Sequence, residues 1–234
     1  IKSLNCIIIL LILFNLVLGQ TSAVKNAKLY QRAKSLEQAG LSDEAMNLYD
    51  QLLSQDSGNS QYYQAYKRFL RNLGEKEKLL EIASIYYQYH KKDPLAKFEW
   101  IYGLILNHEE NWRAEADLFI KDNHSDKNLM RQLLFSIYSA GLSYELKSIT
   151  KLIRELNMGL AFLSRELGDI FIMRMDYQSG ISEYILYLEK NPKDLKKISD
   201  KVMTLPKDEY VLNIVRKIFI KDKNNFSKII LSNL

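Results

Sequence analysis

The sequence predicts an all-α protein, and three observations lead to this class. The 234 residues include only three prolines and nine glycines, so few positions interrupt a regular backbone. Apolar residues recur three or four positions apart through most of the chain, which is the period of a helix with one buried face. No stretch alternates apolar and polar residues for long enough to predict a β-sheet. We therefore expect helices joined by short turns.

The clearest pattern covers residues 162–192 and predicts two antiparallel helices. Asp176 stands where a short carboxylate can cap the second helix. Gly168 and Gly180 are small where the two helices would cross, which allows their axes to approach closely. The predicted apolar stripes contain Leu163, Leu167, Phe171, Ile181, Tyr184 and Leu188. Because this spacing is helical on both sides of one turn, the segment predicts a helical hairpin.

These positions resemble the tetratricopeptide repeat (TPR) family, whose pattern of Leu-Gly-x-x-Tyr, Ala-x-x-x-Phe and Pro extends over about 34 residues. The matching residues here are Leu167, Gly168, Phe171, Tyr177, Gly180, Tyr184, Leu188 and Pro192. Ser164 departs from the pattern, since the family has Trp or another large apolar residue there. A second copy near the N-terminus contains Ala33, Leu36, Gly40, Ala45, Tyr49 and Leu53, with Arg32 where the later copy has Leu167. The two copies are offset by about four repeat lengths.

Helix breakers divide the rest of the chain into further helices. The predicted breaks are Gly40, Gly74, Gly141, Asp93-Pro94 and Asn191-Pro192. We expect Ser42, Asp93 and Asn191 to cap the helices that follow them. Residues 24–192 then form about five helix pairs, and residues 193–234 form C-terminal helices that continue or cap them. The resemblance implies that these pairs build a right-handed TPR-like solenoid.

Residues 1–19 predict a secretory signal peptide. Lys2 gives a positive start, and Cys6–Leu18 is an apolar run interrupted only by Asn15. A helix that spans a bilayer needs about 20 apolar residues, so this run is typical of a signal peptide, with an uncleaved anchor as the alternative. Cleavage is expected before Gln20, or as late as residue 23. We therefore expect a secreted or periplasmic protein that contacts a membrane only through the signal segment.

The net charge of +5 comes from the C-terminal end, because residues 193–234 contain ten Lys or Arg and five Asp or Glu. A nucleic-acid-binding protein would show basic residues on one face of a recognisable module. Lys193-Asp194-Leu195-Lys196-Lys197 instead mixes both signs at helical spacing, as solvated helix faces do. The sequence predicts no nucleic-acid partner.

The sequence contains no recognisable catalytic or metal-binding motif. His90, His108 and His124 are isolated, so no two of them share a helical face as metal ligands would. No phosphate-binding glycine loop and no Gly-x-Ser-x-Gly motif occurs. We expect no cofactor, no metal and no enzymatic activity. The alternative is an enzyme or accessory domain of the envelope that acts on cell-wall glycan with a single catalytic carboxylate, as muramidase-type domains do. Its candidate residues are Glu109, Glu110, Glu155 and Glu166.

The resemblance to TPR proteins implies a binding function, because the first helix of each pair lines a concave groove that takes peptides or helices. The family's groove positions correspond here to Tyr30, Lys34, Gln64, Arg68, Arg71, Arg165 and Asp169. Their charges do not reproduce the Lys/Asn set with which chaperone-binding TPR domains hold a C-terminal carboxylate. For each residue, a solvated helix face is the alternative. We expect a non-catalytic scaffold or adaptor of a bacterial-type cell envelope that binds a protein or peptide.

Residues 206–234 are a second candidate interaction region. A stripe that includes Val211 and Phe219 is followed by another apolar segment, residues 226–234. That segment folds back over the stripe, or it continues into further repeats, or its exposed face is a site of self-association or partner binding. An exposed apolar patch is typical of such sites.

Overall fold

The computed structural model describes residues 23–222 and 224–232. The described residues form α-helices joined by short turns, with one π-helical turn and one 3-10 turn, and none of them lies in a β-strand. This confirms the all-α class. The contacts divide the chain into two compact units, one that ends at Trp112 and one that begins at Arg113.

The first unit contains five helices. They are α1 (residues 23–38), α2 (Ser42–Gln55), α3 (Ser60–Leu73), α4 (Lys76–Tyr89) and α5 (Pro94–Leu106). At the boundary α6 begins, and the helices from there on are α6 (Trp112–Asn123), α7 (Lys127–Ser139), α8 (Ser143–Ile153), α9 (Ser164–Met173), α10 (Tyr177–Lys190), α11 (Leu195–Met203), α12 (Glu209–Lys221) and α13 (Asn225–Ser232). The π turn Arg154–Met158 follows α8, and the 3-10 turn Pro192–Asp194 precedes α11. The division expected between residues 192 and 193 falls at this 3-10 turn.

Successive helix pairs contact each other at a regular spacing in the sequence. Charged residues of neighbouring pairs bond to each other across 29–32 positions in both units. These bonds are Lys67–Glu99 in the first unit, and Arg113–Glu145, Arg154–Glu183 and Lys201–Asp169 in the second. Within each unit, neighbouring helix pairs are therefore joined by ion pairs, and the structure is helical and repeat-like.

Three predicted features of the turns are confirmed. The Asp93 carboxylate accepts a hydrogen bond from the Leu95 amide, and Pro94 is the first residue of α5. The Asp176 carboxylate accepts from the Ser179 amide at the start of α10. Gly74, with a φ of 81°, closes α3 in the left-handed conformation that glycine adopts without strain.

Two predicted caps are wrong. Ser42 is the first residue of α2, and Leu41 occupies the cap position without a side-chain hydrogen bond. The Asn191 side chain donates to the Tyr187 carbonyl and so closes α10 instead of opening the next helix. Pro192 begins the 3-10 turn, because its ring is compatible with the first turn of either kind of helix.

Tyrosines form much of the core of the first unit. The Tyr49 ring stacks on Tyr66 at 5.1 Å between centroids, and Tyr63 stacks on Tyr86 at 4.0 Å. Tyr49, Tyr63 and Tyr66 are fully buried. Large aromatic side chains bury much apolar surface where these helices meet, which stabilises their packing.

The close crossing of α9 and α10 is confirmed. A methyl group added at Gly168 would lie 2.5 Å from the Tyr184 ring and 3.2 Å from the Gly180 carbonyl oxygen. A methyl group added at Gly180 would lie 2.7 Å from Ile172 and 3.1 Å from the Gly168 carbonyl oxygen. Both glycines therefore mark a place where two backbones nearly touch.

The C-terminal helices share one core with α10. Val211, Val215 and Phe219 of α12 are buried in it, and Ile230 of α13 is fully buried. Helix α13 lies against α11 and α12. The apolar segment at the end of the chain thus covers part of the α12 stripe, as in the first of the three expected alternatives.

The predicted signal peptide, residues 1–19, and its expected cleavage before Gln20 lie outside the described residues. Within the described ranges, no helix is both long enough and apolar enough to cross a membrane.

Candidate binding surface

Helices α1 and α3 lie side by side in the first unit. The Tyr30 ring is 5.5 Å from the Tyr62 ring, measured between centroids. The Glu37 carboxylate lies 3.6 Å from the Arg68 guanidinium and accepts a hydrogen bond of 2.8 Å from the Tyr49 hydroxyl. Glu37 on α1 therefore contacts residues of both α2 and α3, and the Arg68 side chain remains 59% exposed.

Helix α3 contacts α5 on its other side. The Lys67 ammonium lies 2.6 Å from the Glu99 carboxylate, and both side chains are nearly buried. The Arg71 guanidinium lies 5.3 Å from the centre of the Tyr102 ring, within the range of a cation–π contact. Removing one member of a buried ion pair leaves the other charge without a partner, so the Lys67–Glu99 pair strongly favours this one alignment of α3 and α5.

An exposed polar face of α3 lies between these contacts. Gln64, Arg68 and Arg71 are exposed on α3 at i, i+4 and i+7. On α1, Lys34 is half-buried and lies 5.7 Å from the centre of the Tyr30 ring, one turn from the residues of α1 that contact α3. We call this set, Lys34, Gln64, Arg68 and Arg71, the α3 surface. It brings together four of the predicted groove residues, and the fifth of this unit, Tyr30, lies beneath Lys34.

The remaining two predicted groove residues lie on α9 in the second unit. The Asp169 carboxylate accepts hydrogen bonds from the Tyr184 hydroxyl, at 2.6 Å, and from the Lys201 ammonium. The Arg165 guanidinium lies 3.5 Å from the Glu166 carboxylate. Asp169 thus joins α9 to α10 and α11, a structural role that the sequence pattern did not predict.

Two tyrosine hydroxyls orient these carboxylates. Burial, and after it the hydrogen bond to Glu37, raises the pKa of Tyr49. Burial and the hydrogen bond to Asp169 raise the pKa of Tyr184 in the same way. Both hydroxyls therefore stay protonated at neutral pH and donate to their carboxylates.

A cavity of about 380 Å³ beside α8 and α10 contains two carboxylates, Glu155 and Glu183. Arg154 donates to both oxygens of Glu183, at 3.0 and 2.7 Å, and also to the Phe162 carbonyl. Glu155 lies 3.8 Å from Lys151. Arg154 thus forms a nearly buried structural ion pair with Glu183, whereas Glu155, the catalytic candidate of this cavity, is exposed and lies beside Lys151.

The other carboxylates considered from sequence are exposed or paired, and His90 has structural partners. Glu109 and Glu110 are exposed, and Glu166 pairs with Arg165. His90 bonds through Nε2 to the Gly58 carbonyl at 2.8 Å and contacts the Tyr86 ring. In the part of the chain that the structure describes, no group of three or more His, Cys, Asp or Glu could hold a metal ion.

Comparison of the chain with models of protein families and with curated proteins finds no match. The function is therefore inferred from the residues and their geometry. The α3 surface has two exposed arginines at helical spacing and contacts from both α1 and α5, which makes it the strongest candidate for a binding surface among the predicted groove residues.

Proposed function

We propose that the chain is a non-catalytic scaffold or adaptor with a right-handed TPR-like solenoid fold, and that its α3 surface binds a peptide or protein. The observation that carries this proposal is the order of contacts α1–α3–α5, with the exposed residues Gln64, Arg68 and Arg71 on the middle helix. In TPR arrays the first helices of successive pairs lie next to each other in this way and form the binding groove.

Two further features support the TPR-like arrangement. The ion pairs between successive helix pairs span 29–32 positions, close to the family's repeat of about 34 residues. The contact between Gly168 and Gly180 matches the small crossing residues of the family pattern. Both features are expected if each helix pair is one repeat.

The charges of the α3 surface indicate the partner's chemistry. Arg68 pairs with Glu37, whose carboxylate also accepts a hydrogen bond from the Tyr49 hydroxyl. Lys34 and Arg71 instead lie over the rings of Tyr30 and Tyr102. A partner segment that carries Asp or Glu would pair with these cations, and complementary charges of this kind raise the association rate and select the partner. We therefore expect an acidic peptide or protein segment. We expect no nucleic acid because the sequence has no recognisable nucleic-acid-binding module.

The compartment is part of the same proposal. The predicted signal peptide at residues 1–19 supports a secreted or periplasmic protein of a bacterial-type envelope. An enzyme that acts on cell-wall glycan is the alternative, and its candidate in the carboxylate cavity is Glu155, which is exposed and lies 3.8 Å from Lys151. Release of soluble glycan fragments from purified cell wall by the full chain would favour that alternative.

The test is a comparison of charge reversals. The full chain and its Arg68→Glu/Arg71→Glu variant are used to recover partners from chemically cross-linked envelope fractions, and the recovered proteins are quantified by mass spectrometry. The matched control is Lys91→Glu/Lys92→Glu, which changes two exposed lysines in the α4–α5 turn by the same charge. We expect recovery to fall with the arginine variant and to persist with the control. Equal recovery by all three proteins would contradict binding at the α3 surface.

A further inference from the structure

A groove of about 520 Å³ lies between α10 and α12 in the second unit. Its apolar floor consists of Ile185 and Leu186 from α10 and of Ile214 and Ile218 from α12. Ile185 is buried and the other three are half-buried, so each still presents part of its surface to the groove. The volume lies within the range of about 300–1,000 Å³ that is typical of binding sites.

The groove matches the length of a short helical contact. On α12 its lining residues Ile214, Lys217, Ile218 and Lys221 follow the i, i+3, i+4, i+7 spacing of one helical face. At 1.5 Å per residue this face extends over about 10 Å, or roughly two turns. A second helix laid along it would place two turns of its own apolar side chains over the floor.

The edge of the groove on α12 is positively charged. Lys217 and Lys221 are exposed, four positions apart, and neither forms an ion pair within the described residues. Asp222 is close to them, but its carboxylate accepts hydrogen bonds from the Asn224 amide group at 2.9 Å and from the Ser227 hydroxyl. The acidic residue that lines the groove therefore bonds to the start of α13, and no ion pair joins it to Lys217 or Lys221 within the described residues.

We propose that this groove binds an amphipathic helix of a partner protein whose apolar face is bordered by carboxylates about one turn apart. The apolar side chains would cover Ile185, Leu186, Ile214 and Ile218, and the carboxylates would pair with Lys217 and Lys221. Binding of an amphipathic helix in an apolar groove is a common mode of recognition, and anchors at i, i+4 and i+7 fit a groove of this length. The site is separate from the α3 surface and does not rest on the function proposed for it.

A second copy of this chain is a poorer occupant than an acidic helix. In a symmetric dimer the same patch forms both sides of the interface, so the groove would face a second groove whose exposed edge also carries Lys217 and Lys221 and offers them no acidic helix. Like charges that are brought together in an interface disfavour it. The positive balance of residues 193–234, with ten basic and five acidic residues, adds to this repulsion.

The experiment uses two fluorescein-labelled helical peptides of about 16 residues, long enough to form a helix. Both carry leucines at i, i+3, i+4 and i+7, and the glutamates that border this stripe in the first peptide are lysines in the second. Binding to the full chain is measured by fluorescence anisotropy. Lys217→Glu/Lys221→Glu is the test variant, and Lys196→Glu/Lys197→Glu, on the exposed side of α11, is the control with the same charge change. Circular dichroism checks that both variants fold as the parent does.

We expect the acidic peptide to bind the parent chain and the control variant, and to bind the test variant at least about tenfold more weakly. The basic peptide should show the reverse preference and bind the test variant best. Leu186→Lys, which places a charge on the apolar floor, should weaken both peptides, whereas Arg68→Glu/Arg71→Glu should weaken neither. The last comparison separates failure of this site from failure of the α3 surface.

Three results would overturn the proposal. The acidic peptide could fail to bind the parent chain, it could bind the test variant and the control variant equally, or its binding could be unchanged by Leu186→Lys. Sedimentation of the full chain supplies a further check. If the parent chain is a dimer and Lys217→Glu/Lys221→Glu is a monomer, the occupant is a second copy and the acidic helix is excluded.

Discussion

The crossing of α9 and α10 gives the sharpest test of the fold. Gly168→Ala and Gly180→Ala add the same methyl group to two helices that touch, and each change raises the intrinsic helix propensity by about 1 kcal/mol. The two variants differ only in what the new methyl group meets. It meets the Tyr184 ring in the first case and the Cγ1 and Cδ1 atoms of Ile172 in the second.

The two neighbours differ in their freedom to move. Tyr184 is 2% exposed, and its hydroxyl donates to Asp169 at 2.6 Å, so the ring cannot rotate away without losing this bond. Overpacking at such a site costs about 1–3 kcal/mol, and a lost hydrogen bond costs about 1 kcal/mol more. Ile172 is only half-buried, and displacing its side chain by about 30° from its rotamer costs about 1 kcal/mol. After the gain in helix propensity, we expect Gly168→Ala to destabilise by about 2 kcal/mol and Gly180→Ala to be nearly neutral.

Differential scanning calorimetry of the full chain measures this difference in the transition of the second unit. For a unit of this size, 2 kcal/mol corresponds to a decrease in Tm of about 8 °C. Combining Gly168→Ala with Tyr184→Leu should recover part of the loss, because two residues in contact do not act additively. Equal stability of Gly168→Ala and Gly180→Ala would contradict the contact with Tyr184, and so would full additivity of Gly168→Ala and Tyr184→Leu.

Three further predictions follow from other contacts. Ala45→Leu should lower the free energy of unfolding by about 1–3 kcal/mol in urea titrations, because Ala45 is fully buried, and an unchanged midpoint would contradict this packing. Arg154→Met should cost about 3 kcal/mol by the same measurement, since it leaves the Glu183 carboxylate nearly buried without its partner, and Arg154→Met/Glu183→Leu should be more stable than the single variant. Burial favours a higher pKa for Asp176, but hydrogen bonds from Lys147 and Ser179 lower it below its ordinary value of 3.8. A carboxylate with a lowered pKa stabilises the folded state above that value, and the contribution is lost as pH falls through the folded-state pKa. Asp176→Asn, which keeps a cap, should therefore be less stable than the parent at pH 7, and the difference in urea titrations should shrink below pH 4; a constant difference would exclude the ion pair.

The hairpin of α9 and α10 could be predicted because its determinants are close together in the sequence. Gly168, Gly180 and Tyr184 fall within one pattern, and each acts on a residue of the same hairpin. The caps by Asp93 and Asp176 were predictable for the same reason, since a cap bonds to an amide two or three residues away.

Contacts between helix pairs could not be predicted in this way. Lys67 and Glu99 are 32 residues apart, and Arg154 and Glu183 are 29 residues apart. The chain contains 33 Lys or Arg and 28 Asp or Glu, so no pair stands out until the rotation of each helix about its axis is known. The exact start of a helix was equally hard to predict. Helix α2 begins one residue earlier than expected, so Ser42 is its first residue and not its cap.

The same limit applies to the candidate binding residues. The sequence placed Asp169 and Arg68 in one class, as groove positions of equivalent repeats. In the structure the Asp169 carboxylate bonds to Tyr184 and Lys201, whereas Arg68 is mostly exposed. A repeat pattern identifies the helix face, but the partners contributed by the next helix pair decide whether a charge on that face is available for binding.

Salt should distinguish the two binding surfaces, because they use charge differently. The α3 surface offers exposed cations, and exposed charges are screened beyond about 8 Å at physiological ionic strength. The groove between α10 and α12 adds four apolar side chains, whose contribution does not decrease with salt.

An acidic partner bound at the α3 surface should therefore be released as NaCl rises from low to high concentration. The acidic helical peptide should lose only the part of its affinity that depends on Lys217 and Lys221, and at high salt the parent chain and Lys217→Glu/Lys221→Glu should bind it with converging affinities. If the affinity of the parent chain instead falls to zero, the apolar floor contributes nothing to binding.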